Sequence, residues 1–247
     1  MRTLPVARRL ALMVVVTFVP GLAGNDSAAA RAVSQAASPQ ATGSAAVLKP
    51  KEIPISGAPI PMRILVQSPA ETDTELQIIC LFRSEPSNTL HGSLVEANEK
   101  LKGLLDRIRN PTLFRGELGE TLLIDPPTGS LAAKRLLIIG LGDSENFTPE
   151  RMELVGAIAY REASRLGVAR PFFAPTVIDG GVTTSAAGQV AEQVIRGFLR
   201  AERTEKLVQD GGASRGPVIK ELTFLAGGQH AADAQQGIEK AIAAAGK

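Results

Sequence analysis

Two hydrophobic periods take turns along this chain, and their order predicts its architecture. "MRILVQ" (62–67) and "LQIICLF" (76–82) are short apolar runs rich in Ile, Leu and Val, which read as strands. "LVEANEKLKGLLDRIRN" (94–110) changes to a helical period, with Leu94, Leu101, Leu104, Leu105 and Ile108 on one face. Asn110-Pro111 stops that helix, and Gly103 inside it costs roughly 0.5–1 kcal/mol against Ala. "ETLLID" (120–125) is a short strand ended by Pro126-Pro127. "RLLIIG" (135–140) has no polar alternation, as expected of a central strand covered on both faces. Thr148-Pro149 supplies an N-cap and a proline at the first helical position, and the helix runs to Leu166. Its buried stripe is Met152, Val155, Ala159, Ala163 and Leu166, and Gly167 suits the stop. "FFAPTVI" (172–178) reads as a strand and "GQVAEQVIRGFLRA" (188–201) as a helix with Val190, Val194, Ile195, Phe198 and Leu199 inward. "IKELTFL" (219–225) is the last strand, and an Ala-rich helix covers about 231–245. Strands separated by helices predict an α/β fold, a three-layer sandwich around a mixed, mostly parallel central sheet.

The first 60 residues stand outside that alternation. Arg2, Arg8 and Arg9 form a basic region before the apolar "LALMVVVTFVP" (10–20), and the small residues of "GLAGNDSAAARA" follow. This is the plan of a secretory signal peptide over 1–32, with cleavage behind Gly24, Ala30 or Ala32. The apolar run is short for a bilayer and holds Pro20, so no membrane span is expected after its removal. No Cys near the cut could carry a lipid. An Ala/Ser/Pro-rich flexible leader is expected over 33–60, and the folded domain over 61–247.

Charge changes with that cleavage. Loss of four Arg and one Asp takes the formal +2 to about −1, so no basic surface argues for nucleic acid. Secretion into the medium or the periplasm is the compartment this leader implies. The single Cys80 cannot close an internal disulfide and reads as a buried strand residue.

Candidate chemistry is sparse. The stretch "GLGDSEN" (140–146) invites comparison with a dinucleotide-binding turn, but Glu145 stands where the third glycine belongs. The helix starts too late, and Asp143 would repel a phosphate. Gly140 and Gly142 are expected to permit a sharp exit from the strand. His91 and His230 have no second His, Cys or carboxylate set at ligand spacing and read as surface or capping residues. No Ser sits in a G-x-S-x-G elbow, and "RGFLRAERTEK" (196–206) reads as a solvated helix face.

Three segments carry a resemblance: "FRGELGETLLI" (114–124), "KRLLIIGLGDSENFTPERMELVGAIAYREASRLGV" (134–168) and "AEQVIRGFLRAERTEKL" (191–207). Their order and spacing resemble the N-terminal domain of the leucyl aminopeptidase family, over roughly 62–245. Glu202 and Arg203 depart from the family's usual aromatic there. The resemblance implies a macro-domain-like fold. It also places the family's catalysis in a separate C-terminal domain, where two divalent metals, typically zinc or manganese, bind around an "NTDAEGR" signature. That signature is absent from these 247 residues, so no catalytic residue, metal ligand or cofactor is carried over. Macro domains bind ADP-ribose partly through a glycine-rich loop, which Gly180-Gly181-Val182 in "VIDGGVTTSAAGQV" (177–190) superficially resembles. Asp179 beside it and the capping types Thr183, Thr184 and Ser185 favour a plain loop. The expectation is an exported, non-catalytic domain that associates with a protein partner or with itself. Its alternatives are a small-ligand (ADP-ribose-like) module, or a fragment of a two-metal aminopeptidase.

Overall fold

In the computed structural model, the described residues are 50–84, 89–109, 113–213 and 219–246. Seven strands form one sheet: β1 (Lys51–Ile55), β2 (Met62–Val66), β3 (Gln77–Leu81), β4 (Thr121–Ile124), β5 (Leu136–Gly140), β6 (Phe172–Phe173) and β7 (Leu222–Leu225). Their order is β1-β2-β7-β6-β3-β5-β4. The five inner strands are parallel, and β1 and β4 run antiparallel at the two edges. Helices α1 (Gly92–Lys100) and α2 (Leu104–Ile108) cover one face. Helices α3 (Arg151–Arg165), α4 (Ala187–Asp210) and α5 (Ala231–Ala245) cover the other.

The inner strands explain their own sequences. In β3, Ile78 and Cys80 face α3–α5, while Ile79 and Leu81 face α1 and α2. In β5, Leu137 and Ile139 face the first group, and Leu136 and Ile138 the second. Side chains alternate faces with period two, and both faces are dry, so these positions of β3 and β5 are all apolar. Cys80 is fully buried, and burial pushes its thiol pKa up, as befits an inert core residue.

The signal peptide expected over 1–32 lies outside the described residues. The flexible leader expected over 33–60 is corrected at its end, because Lys51–Ile55 are β1, registered on β2 from Lys51↔Val66 to Ile55↔Met62. Pro54 has no N–H to donate, and an edge strand tolerates it. The helix expected over 94–110 is two helices. Lys102 and Gly103 between them take φ of 55° and 74°, in the left-handed region. The strand expected over 172–178 ends after Phe173, two residues ahead of Pro175. The helix expected to end at residue 201 continues to Asp210, with Arg196, Arg200, Arg203 and Lys206 exposed along its solvated face.

Gly140 and Gly142 have different jobs. A Cβ on Gly140 would collide with the backbone of Gly116 and Glu117, which crosses the end of β5. Gly142 takes a φ of +77°, which only glycine adopts freely. The strand exit needs Gly142; Gly140 makes room for the neighbouring loop.

Candidate functional site

Strands β2, β7 and β6 are parallel neighbours, so their C-terminal ends open on the same side of the sheet. Ligand crevices of open α/β sheets form at such ends. Here the segments leaving these strands, 67–69, 226–230 and 174–179, wall a cleft of about 470 Å³. That is within the size range of small-molecule sites. Helix α1 closes one side with Ser93 and Glu96, and the start of α4 closes another with Ser185 and Ala187. The floor is apolar, with Ala174, Val177, Val190 and Phe224.

Thr176 holds the cleft to the sheet. After Phe173 the Ala174 N–H still donates to the Ile78 carbonyl at 2.9 Å, but Pro175 has no N–H and the ladder stops. Thr176 turns into the left-handed region, with φ 47°. Its buried Oγ1 accepts from the Cys80 N–H at 2.9 Å and donates to the Cys80 carbonyl at 2.7 Å. One side chain thus replaces the missing strand partner, and this is why β6 is short.

The polar wall is acidic. Asp179 lies against the start of α1, where Ser93 Oγ donates to its Oδ2 and the His91 N–H donates to its backbone carbonyl at 2.8 Å. Gly92 permits this approach, since a Cβ there would meet Asp179 Oδ1 at 2.5 Å. Glu96 accepts from Ser68 Oγ and has Lys100 Nζ at 3.1 Å. His230 precedes α5 and completes the wall, with Gln229 Nε2 at 3.0 Å from its Nε2. Among the described residues, no Lys or Arg lines the cleft.

The residues singled out in the sequence fall beside this cleft more than in it. Gly180, Gly181 and Val182 are not part of its lining, and their N–H groups donate to the carbonyls of Thr176, Ile178 and Val177. Gly180 instead packs on the Phe82 ring, where a Cβ would come within 2.7 Å of Cδ2. His91 precedes α1 and is exposed, with Thr89 Oγ1 at 3.2 Å. His230, expected at the surface, lines the cleft. Asp179 entered the sequence reading only as a reason against an anion site, and Glu96 and Thr176 were missed. Only an acidic residue ahead of Gly-Gly at a strand end hinted at Asp179.

Among the described residues, no three His, Cys, Asp or Glu side chains gather at spacing that could hold a metal ion. These residues do not fit a two-metal centre. No helix among them is long and apolar enough to cross a membrane.

Residues 78–204 match the model of the cytosol aminopeptidase family, N-terminal domain. A probable cytosol aminopeptidase of Thermosynechococcus vestitus is 32% identical over 126 residues, 49% of this chain and 24% of that protein. One of Roseiflexus castenholzii is 28% identical over 186 residues, covering 74% of this chain and 34% of its own length. The chain therefore spans between a quarter and about a third of these relatives. Among solved structures, a tomato leucine aminopeptidase mutant superposes with a TM-score of 0.55 at 18% identity, over 81% of this chain and 38% of that one. The Oceanobacillus iheyensis macrodomain with ADP gives 0.52 at 15% identity, over 79% and 98%. These likenesses establish a macrodomain-like α/β fold.

Proposed function

Because this chain belongs to the cytosol aminopeptidase family through its N-terminal domain, we propose that it acts by protein association and not by peptide hydrolysis. The observation that carries this reading is an apolar flank on an open sheet edge. Among the described residues, β4 ends the sheet with β5 on one side only. Leu123 on that strand is 41% exposed, Leu118 in the preceding turn is 39% exposed, and Leu154 on α3 is 41% exposed. A Cβ on Gly119 would touch Leu154 and Ile158, so the turn and α3 form one surface. Unpaired strand edges with apolar neighbours favour pairing with another chain. The partner is a second copy or a full-length aminopeptidase of the family, and no cofactor is involved.

Sedimentation velocity of the chain, alone and with such an aminopeptidase, tests this. A concentration-dependent dimer or a mixed complex is expected, weakened about tenfold or more by Leu123→Lys with Leu154→Glu. A monomer that leaves the aminopeptidase boundary unchanged rejects it. Export is proposed with it, on the basic and apolar leader of residues 2–20. Protein isolated from its source then begins at residue 25, 31 or 33, whereas an intact Met1 rejects export.

The cleft favours a second reading, a small-ligand binding module. ADP-ribose is its macrodomain-like version, and absence of heat on titration at millimolar ADP-ribose rejects that version. The third reading is a fragment of a two-metal aminopeptidase. It is favoured by the share of the relatives that the chain spans, and a downstream reading frame carrying "NTDAEGR" would establish it.

A further inference from the structure

We infer that the cleft at the ends of β2, β7 and β6 selects a small ligand carrying a primary ammonium group on an apolar body, and rejects diphosphates. The inference rests on the reading of this cleft as a ligand site. Among the described residues, its charged side chains are Glu96 and Asp179, with His230 as the only other titratable group of the lining and no Lys or Arg to meet a phosphate. Glu96 has Lys100 at 3.1 Å. Asp179 forms no ion pair among the described residues, and its side-chain partner is the neutral Ser93 hydroxyl. It is half-buried, so its charge is only partly screened. A ligand ammonium supplies the missing counter-charge and a charge-assisted hydrogen bond. A diphosphate would add two negative charges to this wall, where like charges repel.

The rest of the cleft sets the other half of the ligand. Val177, Val190 and Phe224 make an apolar floor that suits a branched aliphatic body. The start of α4 faces the same space through Ser185 and Ala187, with no side-chain cap and no acidic residue in its first turn. The Ala187 N–H lies ahead of the first bonds of this helix, which Gln189 and Val190 donate to the Ala186 carbonyl, and suits a neutral carbonyl acceptor on the ligand.

Leucinamide has all three parts, and 4-methylpentanamide is the same skeleton without the amine. Calorimetric titration of the native chain with both compounds and with ADP-ribose tests the inference. Leucinamide is expected to bind, with 4-methylpentanamide at least about tenfold weaker and ADP-ribose silent. Asp179→Asn should weaken leucinamide about tenfold, with Glu96→Gln having less effect because Lys100 already faces that carboxylate. Equal binding of the two amides overturns the ammonium assignment and leaves the cleft a ligand site. ADP-ribose binding without leucinamide overturns the charge selection and leaves the same. Silence from all three overturns both. The matched amides decide the matter even if Asp179→Asn fails to fold.

Discussion

Gly197→Ala should lower the melting temperature by about 4–8 °C, although alanine is the better helix former. Alanine gains about 1 kcal/mol over glycine within a helix. Against this stands the crossing of α3 and α4, where backbone meets backbone. A Cβ on Gly197 would fall inside the van der Waals shell of the Glu153 carbonyl oxygen, with the Ala157 nitrogen at 3.0 Å. Gly156 on α3 faces the Val194 carbonyl in the same way, so neither helix can yield alone. The helices must separate, and Val194, Ile195 and Phe198, all 0% exposed, lose contacts across the gap. Overpacking of this kind costs about 3 kcal/mol or more, which outweighs the propensity gain. For a domain of this size each 1 kcal/mol corresponds to roughly 2–4 °C. The control is Gly211→Ala, at a helix end with φ −77° and its nearest atom, the Leu207 carbonyl oxygen of the preceding turn, at 3.4 Å, which should stay within about 0.5 kcal/mol of the parent. Calorimetric melting of both variants checks the pair.

The second large effect belongs to Thr176→Val. Valine keeps the shape and removes the hydroxyl that bonds both the N–H and the carbonyl of Cys80. Cys80 is 0% exposed, so water does not replace the lost partner. Two buried backbone groups without partners cost about 1–3 kcal/mol each. A loss of about 3 kcal/mol in a urea titration is expected, with Thr176→Ser recovering most of it. If valine and serine behave alike, the bridge between the cleft and β3 contributes nothing. Because the same residue lines the cleft, the valine variant should also bind leucinamide more weakly than its remaining stability accounts for.

Much of this fold was legible because burial dictates residue type locally. β5 is apolar at every position since helices cover both of its faces, and a run such as "RLLIIG" suits few environments besides a central strand. The last helix was legible as an Ala-rich segment over about 231–245, and Ala231, Ala234, Ile238 and Ala241 form its buried side. What stayed hidden depends on partners distant in the chain. β1 reads Lys-Glu-Ile-Pro-Ile, poor in strand formers, and is a strand because β2 offers it an edge. The break at Lys102-Gly103 leaves Leu101 and Leu105 on the same apolar cluster, so periodicity passes through it unnoticed. β6 is cut short by Pro175 and by a side-chain bridge to residue 80, 96 positions away.

The candidate site was less legible still. Its walls come from the ends of β2, β7 and β6, with α1, α4 and α5 beside them, and only the parallel pairing of β2 with β7 brings residues 66–69 beside 224–230. Glycines drew attention in the sequence at 180 and 181, yet they serve a turn whose N–H groups are already bonded. The residues that give the cleft its charge, Asp179 and Glu96, belong to no motif.

By the function proposed above, this chain does no peptide hydrolysis of its own, although residues 78–204 match the N-terminal domain of the cytosol aminopeptidase family. An aminopeptidase assay of the purified chain with a leucyl substrate, with manganese or zinc supplied, tests it most directly. Release of product at the rate of the protein-free blank is the expected result. Metal-dependent turnover that stays with the chain through purification and stops on adding a chelator would contradict it.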